Sequence, residues 1–194
     1  MFSLSQRFQV LINQAVTFSV FIIAFIVATS YIDLIYPNNV FNTGVATVNS
    51  IKPSLSLRTS RYFGSINSKP KENVRLEFDL DSDLTNLFNW NTKQVFVYLT
   101  AEYNNTKNTV INEVTFWDNI ITKQEDAVLH LEKAKSKYSV WDISEQFSGK
   151  SLKFKLNWNI QPWVGPLTYG EIDTGYELVV PKKVEESSKK QRVN

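Results

Sequence analysis

The chain has 194 residues, a formal net charge of +2 and 43% hydrophobic residues, with five Trp, eight Tyr and thirteen Phe against six Gly. Cysteine is absent, which excludes disulfides, thiol catalysis and Cys-ligated metals within this sequence. The small, dispersed charge argues against nucleic acid as a partner, and the aromatic content favours an ordered, strand-rich domain.

Between Arg7 and Asp33 no residue carries a charge, and Ala15 to Ala28 is almost wholly apolar. A helix rises about 1.5 Å per residue and the hydrocarbon core of a bilayer is about 30 Å thick, so roughly 20 residues suffice to cross it. This predicts a cytoplasmic stub at 1–9 and a transmembrane anchor at 10–32. Positive charge before the run, and Asp33 after it, put the following domain across the membrane. A cleaved signal peptide starts the same way, with Ala28-Thr29-Ser30 as a small-x-small cleavage site. The length of the run, and its continuation through Tyr31, Ile32, Leu34, Ile35 and Tyr36, favour retention. Asn13, Thr17, Val20, Ala24 and Ala28 share one helical stripe, a weak pointer to a second membrane helix; Asn13 by itself reads as a headgroup-zone residue.

Residues 33–180 read as one soluble domain. Val40 to Ser50 is expected as a first strand, followed by a loop over Lys52 to Lys71 with a short strand at Arg61 to Ile66. Val74, Leu76, Phe78 and Leu80 then alternate with Arg75, Glu77, Asp79 and Asp81, one face dry and one wet. Asp81 to Asp83 offers an N-cap for a helical turn at Leu84 to Phe88, which Asn89-Trp90-Asn91 closes. Val95 to Tyr103 is apolar on both faces, as in a covered central strand, and Val110 to Ile121 returns beside it across the polar Asn104 to Asn108 turn. After a charged turn at Lys123 to Asp126, short strands are expected at Val128 to Leu131 and Tyr138 to Trp141, with a helical turn in Asp142 to Gly149. Ser151 to Ile160 carries the clearest period of two, with Leu152, Phe154, Leu156, Trp158 and Ile160 inward and Lys153, Lys155, Asn157 and Asn159 outward. A Pro/Gly turn at Gln161 to Pro166 and a last strand at Gly175 to Val180 complete the domain, and 181–194 reads as a disordered charged tail. Seven or so strands without a long helical period point to an antiparallel β-sandwich, with a barrel as the alternative.

Chemistry is sparse. His130 is the one histidine, placed in VLHLEK where it alternates with Val128 on a sandwich face. No Walker loop, G-x-G-x-x-G, G-x-S-x-G or H-E-x-x-H motif occurs, so no catalytic residue, cofactor or metal is implied. Asp79, Asp81 and Asp83 invite a calcium reading, but two lie on the wet face of a strand and the third serves as a cap. Trp163, on the turn QPWVGP, is hard to bury and suits a protein or membrane-surface contact as well as ordinary packing. Asn104-Asn105-Thr106 is the one N-x-[ST] sequon, which marks Asn104 as a glycosylation site if the domain is lumenal.

Three runs, Leu87 to Tyr103 (LFNWNTKQVFVYLTAEY), Asn112 to Ile121 (NEVTFWDNII) and Leu152 to Pro166 (LKFKLNWNIQPWVGP), closely resemble the signal peptidase complex subunit 3 family. The resemblance extends over nearly the whole chain, with Lys52 to Lys71 and the tail after Pro181 the most divergent parts. It implies a single-pass type II protein of the endoplasmic reticulum membrane with a lumenal domain and no catalytic residues of its own. Such a protein assembles with the catalytic serine-protease subunit and further small membrane subunits that remove signal peptides. Trp90, Asn91 and Trp163, polar or aromatic residues at element ends, are then the expected partner surface. The competing expectations are an autonomous lumenal module that binds glycans or unfolded chains, and a membrane-bound hydrolase built on His130.

Overall fold

The computed structural model describes residues 3–36, 45–63, 65, 69–104, 111–142 and 146–181. Its first element is one helix, α1 (Leu4–Ile35), opened by a capping box in which Ser3 and Gln6 exchange side-chain and backbone hydrogen bonds. Phe8, Phe18, Phe21, Ile23 and Phe25 are all exposed, so the helix is apolar around its circumference, the pattern that suits lipid and not water. Three of its hydroxyls are satisfied internally: Thr17 donates to the Asn13 carbonyl (2.8 Å), Ser19 to Ala15 (2.8 Å) and Thr29 to Phe25 (2.9 Å). The helix overruns the expected anchor at both ends.

Among the described residues eight strands follow: β1 (Val45–Arg58), β2 (Lys71–Asp83), β3 (Thr92–Asn104), β4 (Ile111–Ile121), β5 (Val128–Lys135), β6 (Val140–Trp141), β7 (Ser151–Pro162) and β8 (Thr168–Val179). One antiparallel sheet runs β1-β2-β5, with β6 also paired to β2; the other runs β4-β3-β7-β8. The sandwich expectation holds. The alternation in β2 turns Val74, Leu76, Phe78 and Leu80 inward, and they meet Val95, Val97, Leu99 and Ala101 of β3 with Leu152, Phe154, Leu156 and Trp158 of β7 in one core. Along one side the sheets are linked by the Ile51 N–H donating to the Tyr176 hydroxyl (3.4 Å).

Several boundaries differ from the sequence reading. Lys52 to Arg58 is not a loop but the second half of β1, in register with β2 through Arg58 and Lys71, and Arg61–Phe63 is a single 3-10 turn. Pro53 made that stretch look broken, yet β1 is an edge strand, where a missing N–H can face outward without breaking the ladder. The described part of β1 starts at Val45, and positions 40–44 of the expected strand lie outside the described residues. β8 starts seven residues before the expected last strand, at Thr168. Its inward residues include Gly170 and Thr174, which blur the apolar signal, and its other face is wet. Of the expected turn in Asp142 to Gly149, 143–145 lie outside the described residues, and Ser148-Gly149 forms a turn.

Two further features depend on burial. Asn157 and Asn159 point to the outer face of the second sheet as expected, but both are buried: the register sets Asn157 beside Tyr98 and Asn159 beside Phe96 and Tyr169. Asn157 donates to the Thr100 hydroxyl (2.7 Å). At the end remote from α1, a buried ion pair joins Lys150 to Asp142, which also accepts from the Tyr103 hydroxyl (3.0 Å). Burial and the Asp142 charge push the Tyr103 phenol well above its ordinary range, so it stays protonated and serves as a donor. Nearby, the Glu72 carboxylate accepts from the Phe147 and Ser148 N–H groups (2.6 and 2.7 Å), pinning the turn before β7.

Gly170 has a packing role. A Cβ there would lie 2.0 Å from Cζ2 of Trp158, whose ring is 2% exposed and has no room to move aside. Gly170→Ala is therefore expected to destabilise the sandwich by about 1–3 kcal/mol, as overpacked core positions do. Thermal unfolding checks this, and Trp158→Leu in the same chain should recover part of the loss caused by the added methyl.

Candidate interaction surface where the helix meets the sandwich

The β2–β3 connection, Leu84 to Asn91, contains a single 3-10 turn (Thr85–Leu87), and the β7–β8 connection is the short turn Trp163 to Leu167. Both lie at the end of the sandwich where α1 arrives, and asparagines join all three. Asn91 donates through Nδ2 to the Val164 carbonyl (2.8 Å) and accepts at Oδ1 from the Val164 N–H (3.1 Å); its own carbonyl accepts from the Trp163 N–H (2.8 Å). Asn89 accepts at Oδ1 from the Asn91 N–H (3.0 Å). Its Nδ2 donates to the carbonyl (3.2 Å) and hydroxyl (3.1 Å) of Ser30 on the helix. Ser30 and Leu34 are the buried residues of α1, and a Cβ at Gly165 would meet Val27 at 3.1 Å. Helix, turn and loop thus share one hydrogen-bonded and packed joint.

The residues expected at a partner surface separate here. Trp90 and Trp163 are 60% and 68% exposed, and Lys93 holds its ammonium 5.3 Å from the Trp163 ring. Asn91 is 3% exposed, with both ends of its amide engaged inside the chain, so it positions the Trp163 loop and presents little surface of its own. Asn89, Ser30 and Val27 were missed by the sequence reading. Asn89 read as a turn closer, Ser30 as part of a cleavage motif, and only the fold brings them within reach of each other. The stripe Asn13, Thr17, Val20, Ala24 and Ala28 is exposed along its length, about a quarter turn around α1 from the face that touches the sandwich.

Elsewhere the candidates resolve into local structure. Asp79 accepts from the Lys133 N–H (2.6 Å) and the Ser50 hydroxyl, and Asp83 from the Thr85 N–H (3.0 Å) and hydroxyl (2.7 Å). These hydrogen bonds, from Ser50 first for Asp79 and from Thr85 for Asp83, hold both carboxyls below the usual range. Among the described residues no group of three or more His, Asp or Glu is arranged for a metal ion. His130 stands on the wet face of β5, its ring paired with Asp81 on β2 and with Glu132 (3.4 Å). Asn104 is exposed at the end of β3 away from α1, and Asn105 and Thr106 of the sequon lie outside the described residues.

Two measurements test these assignments. Asn91→Ala should cost about 1–3 kcal/mol, the usual range for a buried polar group left unpaired. It should also speed hydrogen exchange at the Val164 amide, where a peripheral role would leave that amide unchanged. The hydrogen bond to Asp81, then its charge, raises the His130 pKa above the ordinary 6.5. The folded chain holds that proton more tightly, so the small stabilisation is complete below pH 6.5 and is lost as pH rises through the raised midpoint. An NMR titration should place the midpoint above 6.5, and Asp81→Asn should lower it.

Comparison with known proteins gives a consistent result. A family profile described as "Signal peptidase subunit" matches residues 1–183. The "Signal peptidase complex subunit 3" of Saccharomyces cerevisiae is 54% identical over 184 residues, covering 94% of this chain and 98% of that protein. The protein of the same name from Debaryomyces hansenii is 51% identical over 173 residues, 89% of this chain and 90% of its own length. The human one is 40% identical over 98 residues, 49% of this chain and 54% of its own.

Proposed function

The chain belongs to the signal peptidase subunit family, and on that premise we propose that it is a non-catalytic, single-pass subunit of a signal peptidase complex in the endoplasmic reticulum membrane. The observation that carries this reading is the match along almost the full length of relatives bearing that name. Residues 1–9 form a cytoplasmic stub, 10–32 the membrane anchor, 33–180 the lumenal sandwich and 181–194 a charged tail. The subunit binds and steadies the catalytic serine-protease subunit. A rigid sandwich on a membrane tether suits that role. Anchoring both proteins in one bilayer raises their effective concentration, so a modest lumenal surface suffices. Trp90 belongs to that surface, and Asn91 holds the neighbouring Trp163 loop in place.

A lumenal orientation would make Asn104 the glycosylation site. β3 starts beside α1 and ends at Asn104, and 13 residues at about 3.3 Å each set Asn104 about 40 Å from the membrane end, clear of the bilayer.

Mild-detergent pull-down of the tagged chain, with mass spectrometry of what accompanies it, tests the proposal. Co-recovery of a catalytic signal peptidase subunit is the expected result, and Trp90→Ala should reduce it. An endoglycosidase mobility shift that disappears in Asn104→Gln should accompany it and report the topology. Recovery of the chain without a protease would overturn the subunit role. Peptide cleavage by the purified chain alone would overturn its non-catalytic assignment, and loss of that cleavage in His130→Ala would assign it to the histidine.

A further inference from the structure

The sandwich does not stand clear of its anchor: it touches the helix well below the level at which the chain leaves it. Arg7 and Asp33 bracket the uncharged run and lie about 39 Å apart on a helix rising 1.5 Å per residue. Centring a hydrocarbon core of about 30 Å between them puts its far boundary near Ser30, and places Val27 about 4 Å inside it. Val27 is the residue that Gly165 faces, and Ser30 is the one that Asn89 grips.

The composition of the two connections agrees with that depth. Leu84 to Thr92 and Leu156 to Gly170 contain no charged residue, whereas the neighbouring β4–β5 connection at the same end carries Lys123, Glu125 and Asp126. The uncharged side is the one against the helix. It exposes Trp163, Leu167 and Trp90 to solvent, and Lys93 reaches back over the Trp163 ring. An exposed indole with an ammonium folded over it is the pairing that settles at a headgroup boundary, ring toward the chains and charge toward the phosphates. We infer that the Trp163–Leu167 loop is a lipid contact, seated in the headgroup zone of the bilayer that α1 crosses, and that it fixes how the sandwich leans on the membrane.

This inference rests on the membrane-spanning reading of α1, and the test separates the two. The chain contains no cysteine, so single cysteines can carry an environment-sensitive fluorophore at Thr17→Cys in mid-helix, Leu167→Cys in the loop and Ile111→Cys at the far end of the sandwich. The full chain is reconstituted in phosphatidylcholine vesicles doped with nitroxide lipid labelled at the headgroup or deep on the acyl chain, with iodide as the aqueous quencher. Position 17 should be quenched by the deep nitroxide and position 111 by iodide. Position 167 should be quenched by the headgroup nitroxide, with a nitroxide-to-iodide ratio about tenfold above that at 111, as for a group seated at the headgroup boundary. Adding Trp163→Asp should return position 167 toward the behaviour of 111. If position 167 matches 111 while 17 remains deeply quenched, the helix spans and the lipid contact is wrong. Shielding of 167 from both quenchers means protein covers the loop, which also overturns it. Loss of deep quenching at 17 removes the spanning reading and this inference together.

Discussion

The structure turns on the hydrogen bonds that Asn89 and Asn91 make between three backbone segments. An apolar helix long enough to cross a bilayer and a sandwich beside it have no inherent reason to keep a fixed angle. Two amides, one gripping Ser30 and the other gripping both polar groups of Val164, supply one. They act where Leu34, Ser30 and Asn91 are all buried, so water competes poorly for their donors and acceptors. Without that joint the Trp163 loop would have no defined level along the helix.

Rigidity is the property the rest of the domain supplies. Both sheets are antiparallel, their inner faces share one apolar core, and the end remote from the helix is closed by the Lys150–Asp142–Tyr103 group and the Glu72 clamp. These are polar groups used for positioning. Breaking one partner of a buried pair is costly, while the intact pair adds little net stability, so such a cluster holds geometry more than it adds free energy. The acidic residues of β2 that resemble a cation site are likewise occupied by hydroxyl and amide donors from their neighbours. A chain arranged in this way has the means to hold a neighbour at a set height and angle, which is what an accessory subunit in a membrane complex requires.

Legibility in the sequence followed the strength of the burial pattern. β2 and β7 were clear because apolar and polar residues alternate between their two faces, so period two is written into their side chains. The second half of β1 was hidden by Pro53 and its serines, residues that an edge strand tolerates. The early part of β8 was hidden because Gly170 sits where an apolar residue would be expected, its space taken by Trp158 from the next strand. Trp90 and Trp163 were recognisable as exposed aromatics on turns. Asn91 was grouped with them by position, but whether an asparagine faces out or clamps a loop depends on a carbonyl 73 residues away.

Residue order alone determined that an uncharged run long enough for a bilayer precedes a strand-rich domain, because hydropathy and period two are local properties of the chain. It also excluded cysteine chemistry and carried the family resemblance. Tertiary structure alone decided that the anchor and the sandwich meet at Val27 and Ser30, that Asn89 and Asn91 form the joint, and that the uncharged loops share one edge. Those are relations between segments more than fifty residues apart, and pairing at such distances is set by how two sheets and a helix pack, which no local pattern encodes.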